Sequence, residues 1–239
     1  TPEQLQQQFQ QPPATPDQME RMSYEDTIAK TGGLFLAVLA AAAVSWFVWP
    51  LAFLGMLGSI GLGIYLAFQR EPKVGAIWAF AVAEGLLVGG ITSILERMYP
   101  GVAMQAVLAT VAVVATVLLL FRSKKVRTSP RMTKIVMVAM LAYFVFSLSN
   151  VFVTMFNPAM GSWGMRSMPV FGIPLGVILG VLAVLMGAYM LVMDFEFIKN
   201  GVDAGAPRKY GWIGAYALVS TIVFIYIELL RLIAILRNN

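Results

Sequence analysis

Residues 31–68 read TGGLFLAVLAAAAVSWFVWPLAFLGMLGSIGLGIYLAF, thirty-eight positions without one charged side chain. A helix that crosses a bilayer needs about 20 mainly apolar residues, so this run is long enough for two. Pro50 lacks an amide donor and breaks a helix. Trp46 and Trp49 beside it are residues that settle at a membrane interface. The run therefore divides into two spans, Thr31–Val48 and Leu51–Phe68. Five more apolar segments follow: Val74–Leu95, Gly101–Phe121, Met132–Phe156, Phe171–Met193 and Gly211–Leu236. None alternates with period two, so none reads as a barrel strand. The sequence predicts an all-α polytopic membrane protein whose seven transmembrane helices occupy 30–239.

Composition points the same way. Of 239 residues, 59% are hydrophobic and only 12% are charged, against about 25% charged in a soluble domain. Cys and His are both absent. That excludes disulfides, thiol nucleophiles, ordinary zinc or haem ligation and a Ser-His-Asp machine. Any pH sensing must use carboxylates, because the usual switch, histidine, is missing. No cofactor is expected. The net charge of +5, in so apolar a chain, reads as contact with lipid headgroups and not with nucleic acid.

Residues 1–29 differ from the rest. Gln4, Gln6, Gln7, Gln8, Gln10 and Gln11 sit beside Pro12 and Pro13, the composition of a disordered tail. A basic start and an apolar stretch are lacking, so it does not read as a signal peptide. Ser23 with Asp26 resembles a capping box and starts a short helix before the first span.

Lys and Arg orient the chain. Thirteen of the seventeen lie before the first span and in the loops after the second, fourth and sixth, with the run Arg122–Lys134 the densest. Arg97, Arg166, Arg231 and Arg237 lie on the other side. The positive-inside rule then places the N-terminus in the cytoplasm and the C-terminus outside. The expected location is the cell membrane.

Small residues recur at helical spacing. Gly172, Gly176, Gly180 and Gly187 share one face of the sixth span, and Gly55, Gly58 and Gly61 form a looser stripe on the second. Such stripes let helices approach closely in lipid. Ser147, Asn150 and Thr154 share a face of the fifth span.

Three acids stand inside apolar spans: Glu84, Asp194 and Glu228. An intramembrane charge costs roughly 2.5–3.5 kcal/mol on insertion scales, so such residues pair, titrate or face a cavity. Glu84 lies roughly 15 Å, and Asp194 roughly 8 Å, from the cytoplasmic ends of their spans at 1.5 Å per residue. At those depths the two can share one cavity and one proton, which makes a pH sensor without histidine. Glu228 lies deeper, roughly 28 Å along the last span, one turn from Arg231. A local Glu228–Arg231 pair would neutralise both. Thr221 precedes Glu228 by seven residues on the same face.

With these features in order, the chain resembles the Bax inhibitor/YccA family of transmembrane Bax-inhibitor-motif proteins, in a bacterial branch. The resemblance spans roughly residues 30–236. Its carriers are Met193-Asp194-Phe195-Glu196-Phe197-Ile198, Ile225-Tyr226-Ile227-Glu228-Leu229-Leu230-Arg231, Ala83-Glu84-Gly85, Tyr99-Pro100-Gly101 and Ala204-Gly205-Ala206-Pro207. The resemblance implies a bundle with the last helix at its centre, surrounded by the other six. It also implies a pH-sensitive calcium leak gated by an acidic pair between helices six and seven, here Asp194 and Glu228. An alignment anchored on Leu229-Leu230-Arg231 instead puts Thr221 in the place of the second acid. Glu84 is then the partner of Asp194.

Two functions follow as expectations. The first is a passive, proton-regulated cation pathway in which Asp194, Glu84 and Glu228 make transient calcium contacts. Arg231, Glu196, Thr221 and Asn150 support them. The second is a regulatory binding protein without transport activity, acting on a membrane-anchored AAA protease through the tail and the Arg122–Lys134 loop. An enzyme is not expected. A rhomboid-type mechanism needs His, the Gly-x-Gly-Asp signature of intramembrane aspartyl proteases is missing, and the last span holds no Lys for a Schiff base.

Overall fold

The computed structural model describes residues 20–238. Seven apolar helices follow one another: α1 (Tyr24–Phe47), α2 (Leu51–Ala67), α3 (Val74–Met98), α4 (Val102–Arg122), α5 (Pro130–Phe156), α6 (Leu175–Asp203) and α7 (Gly211–Arg237). All but α2 are long and apolar enough to cross a membrane. The 17 residues of α2 rise about 26 Å, just short of the roughly 30 Å hydrocarbon core.

Local chemistry sets the helix ends. Ser23 is extended and its hydroxyl accepts from the Asp26 amide at 3.2 Å, which caps α1. Glu25 and Asp26 in the first turn suit the positive end of the helix dipole. The helix therefore begins at Tyr24 and runs unbroken into the first span, where a separate short helix was expected. Pro50 stands directly before α2, at the break the sequence predicts. Gly101, at φ 88°, turns the chain between α3 and α4. The Glu96 carboxylate accepts there from the amides of Gly101 and Ala103 at 2.6 and 2.9 Å. Ser129 caps α5 with Pro130 behind it, a position where the missing amide costs nothing.

Two boundaries depart from expectation. Residues 20–29, read as part of the tail, join the bundle. Met22 N–H donates to the Ala206 carbonyl at 2.7 Å, and Arg208 N–H to that of Glu20 at 2.9 Å. The Arg208 guanidinium bonds both Glu20 and Asp26. The remainder of the expected tail, 1–19, lies outside the described residues. The second departure is at α6, which starts at Leu175 and not at Phe171. Phe171 and Gly172 have φ of 53° and 81° and turn a two-residue hairpin, Pro169–Val170 against Ile173–Pro174. Gly172 therefore serves the turn and leaves the glycine face to Gly176, Gly180 and Gly187.

The last helix is the centre of the core. Half of the apolar window of α7 is buried, against 17% in α1, α4 and α5. Three apolar clusters meet on it. Leu34, Val38, Ile77 and Ala81 pack on Val219 and Val223. Leu95, Val102 and Ala106 pack on Leu230 and Ala234. Val117, Leu191 and Val192 pack on Ile225 and Leu229. Helices α1, α3, α4 and α6 thus line α7 directly, and Tyr143 of α5 reaches it. Helix α2 is the outlier. It packs on α3, buries only Gly55 and Ser59, and faces α7 across a cavity of about 470 Å³.

Helix α3 is held at backbone range from both sides. A Cβ on Gly85 would stand 2.3 Å from the Val38 carbonyl oxygen, and one on Gly89 would stand 2.1 Å from that of Ala42. On the other side, a Cβ on Gly55 of α2 would meet the Leu87 amide at 2.5 Å, whereas Gly61 has open space. Backbone cannot yield as a side chain does, so substitution here pushes helices apart. Gly89→Val is expected to destabilise the protein by about 2–3 kcal/mol. Gly61→Ala should stay within about 0.5 kcal/mol of the parent. Denaturant titration of the two variants in micelles, followed by circular dichroism, measures the difference.

Candidate functional site

The three intramembrane acids fall at separate positions. Asp194 lies on α6, and its carboxylate accepts a hydrogen bond from the Thr221 hydroxyl of α7 at 2.6 Å. Neither Glu84 nor Glu228 is its partner. Thr221 occupies the position across from Asp194 where a second acid was sought, so the interface between the two helices holds one carboxylate and one hydroxyl. No cation pairs with Asp194 among the described residues.

Glu84 and Glu228 instead line one cavity, the space of about 470 Å³ bounded by α2, α3, α5 and α7. The expectation that Glu84 and Asp194 share a cavity is thereby corrected. Asp194 is turned to the α6–α7 seam and does not line this space. Glu84 shares the cavity with Ser59, its side-chain hydrogen-bond partner, whose hydroxyl also lies 2.7 Å from the Gly55 carbonyl. It has no ion pair among the described residues. A larger hollow of about 580 Å³ between α1, α3, α4 and α7 has no charged side chain in its lining. The chemistry lies in the smaller one.

Glu228 is the most sheltered of the three, at 3% exposure. Arg231 donates to one carboxylate oxygen at 2.6 Å, and the Tyr143 hydroxyl donates to the other at 2.5 Å. The expected Glu228–Arg231 pair is therefore present, as an i, i+3 contact. Two further residues complete the cluster. Tyr143 receives hydrogen bonds from Arg166 at 2.9 Å and from Arg231 at 3.3 Å. Arg166 is 4% exposed and also donates to the Ser147 hydroxyl at 3.0 Å. Two guanidiniums thus surround one carboxylate and one phenol in an apolar setting, where such hydrogen bonds are strong and unpaired groups costly.

The sequence reading passed over Tyr143 and Arg166. Tyr143 precedes Ser147, Asn150 and Thr154 on the face of α5 already singled out, so its spacing was a usable signal. Arg166 was counted as a loop charge. The connection 157–174 folds back over the end of the bundle, which buries it. Asn150 holds this connection: its amide donates to the Trp163 carbonyl at 3.2 Å, and its oxygen accepts from Met165 N–H at 2.7 Å. Asn150 is thus a tether for the connection and does not touch the acids. Glu196 is likewise elsewhere. It accepts from the Thr128 amide at 2.8 Å and from the Thr128 hydroxyl, which fastens the basic loop to α6.

These positions decide what the acids can do. Calcium takes six to eight oxygen ligands in a tight site. No group of three or more Asp, Glu, His or Cys side chains among the described residues forms such a cage. Glu84 and Glu228 line one cavity and Asp194 stands apart, so any cation contact must be completed by water or neutral oxygens. Glu228 is already neutralised by Arg231. Glu84 and Asp194 have no cationic partner among the described residues.

None of the curated proteins compared with the chain matches it. The family model described as Bax inhibitor 1 like matches residues 2–238, and the chain, an all-α polytopic membrane protein, belongs to that family.

Proposed function

We propose that this protein is a passive cation pathway, with calcium as the ion, regulated by protonation of buried carboxylates. The reading rests above all on Glu84, an acid inside an apolar span that lines a cavity of about 470 Å³ and has no ion pair among the described residues. Ionised, Glu84 attracts a cation into the space between α2, α3, α5 and α7. Protonated, it is neutral and loses that attraction. Asp194 supplies a second titratable contact. Its ionised carboxylate accepts from Thr221 and ties α6 to α7. Protonation removes the charge and weakens that tie, which frees the central helix. Regulation of a membrane protease has less support. It draws on the basic loop and on residues 1–18, which lie outside the described residues.

Calcium flux into liposomes that hold only this protein tests the pathway. Glu84→Gln should lower flux about tenfold near neutral pH, the effect of losing about 1.4 kcal/mol of ion stabilisation. Asp194→Asn should flatten the dependence of flux on pH. Unchanged flux at every pH, in variants that fold, sinks the reading.

We propose further that the N-terminus is cytoplasmic, in a cell membrane, on the strength of the basic residues at that end. The absence of Cys makes single-cysteine labelling clean. Ser162→Cys, at an exposed site in the 157–174 connection, should react with an impermeant maleimide on intact cells. Ser123→Cys should react only after permeabilisation. The reverse pattern would invert the topology.

A further inference from the structure

Arg166 carries more hydrogen-bonding capacity than its surroundings use. A guanidinium has five N–H donors. One nitrogen, Nη2, serves Tyr143 and Ser147. The donors on Nε and Nη1 meet no acceptor among the described residues. No polar atom of Arg166 is sealed without a partner, so these donors look onto the cavity that the residue lines. Arg166 also makes no ion pair among the described residues, because Glu228 is engaged by Arg231. The cluster of Arg166, Arg231, Tyr143 and Glu228 thus has one positive charge in excess. Free donors on so buried a side chain are costly unless something supplies oxygen acceptors.

Beyond that cluster, Glu84, Ser59, Ser147 and Ser220 are the polar residues of the cavity lining, and the remainder is apolar. Met56 and Ile60 of α2 face Met140, Phe144 and Leu148 of α5 across it. Ile64 and Phe144 at its rim are 56% and 44% exposed, so the cavity opens sideways, toward acyl chains. A ligand that fits has an anionic head for Arg166 and an apolar chain for the α2–α5 wall. Arg166, with no ion pair among the described residues, suits an anionic head. A carboxylate matches the planar fork of a guanidinium, and about 470 Å³ is the scale of a site for one small ligand.

We propose that Arg166 and this cavity bind a single-chain membrane amphiphile with a carboxylate head, of the long-chain fatty acid class. The head sits at the unused Arg166 donors. The chain lies along the α2–α5 wall and can leave laterally. The site shares its cavity with the cation reading but is tested by binding and not by flux, so failure of one is distinguishable from failure of the other.

Binding of radiolabelled oleate to the full chain in zwitterionic nanodiscs is the direct measurement. Saturable binding of one oleate per chain is expected. Methyl oleate, which keeps the chain and lacks the charge, should compete at least about tenfold less well, and so should acetate, which keeps the head alone. Arg166→Gln should weaken oleate by about tenfold or more. Equal competition by methyl oleate would reduce the site to an apolar groove, and equal competition by acetate would make it a free-anion site. Either result overturns the proposal, as does undiminished binding by Arg166→Gln. If that variant does not fold, Ile60→Trp fills the apolar wall without touching the cluster. Loss of oleate binding in folded Ile60→Trp supports the site, and retention overturns it.

Discussion

A carboxylate in the hydrocarbon core must be neutralised or sheltered, and Glu228 is both. Its two oxygens take hydrogen bonds from Arg231 and Tyr143, and it sits on the most buried helix of the bundle. That arrangement fixes much else. Tyr143 can reach Glu228 only if α5 lies against the C-terminal half of α7. Arg166 can reach Tyr143 only if the 157–174 connection folds inward, and Asn150 tethers it there. Removing one partner of such a cluster leaves a charge uncompensated in a medium that cannot hydrate it. The polar cluster therefore dictates how one end of the bundle closes.

Close backbone approach performs the corresponding task for α1, α2 and α3. Lipid offers no hydrophobic drive between helices, so their association depends on van der Waals contact. Gly85 and Gly89 bring α3 against the carbonyls of α1, and Gly55 brings α2 against the backbone of α3. Helix α2 gains little else, since it buries only Gly55 and Ser59. A helix packed on one neighbour leaves space behind it. The cavity with Glu84 follows from that one-sided packing, because the face of α2 turned toward α5 and α7 is separated from them.

The spans were legible because length and apolarity alone define them, and the break at Pro50 follows from a missing amide. The central place of α7 came from family resemblance and is borne out by three apolar clusters that meet there. What the sequence concealed was azimuth and turn chemistry. Depth along a span places Glu84 and Asp194 near one level, yet says nothing of which neighbour each helix presents to its acid. Asp194 is turned to Thr221 and Glu84 to the cavity behind α2. Phe171 adopts a left-handed backbone that residues other than glycine seldom take, so an apolar count extended α6 by four residues too many. Arg166 looked solvated because loops usually are. The apolar Trp163, Met165 and Met168 around it were the signal that this loop packs inward.

Thr221 and Glu228 are seven residues apart on α7, about two helical turns, so they lie within about 20° of one face and roughly 10 Å apart along the axis. That single stripe is met by two different helices. Asp194 of α6 takes the inner position, and Tyr143 of α5 the outer one. Because the stripe belongs to one rigid helix, a rotation of α7 shifts both contacts together. The inner contact joins a carboxylate to a neutral hydroxyl and changes with protonation of Asp194. The outer contact holds Glu228 between a phenol and a guanidinium and resists displacement. The outer contact has two donors on one carboxylate, and the inner contact has one. The same helix thus meets Asp194 through Thr221 and, through Phe224, Ile227 and Glu228, forms a wall of the cavity.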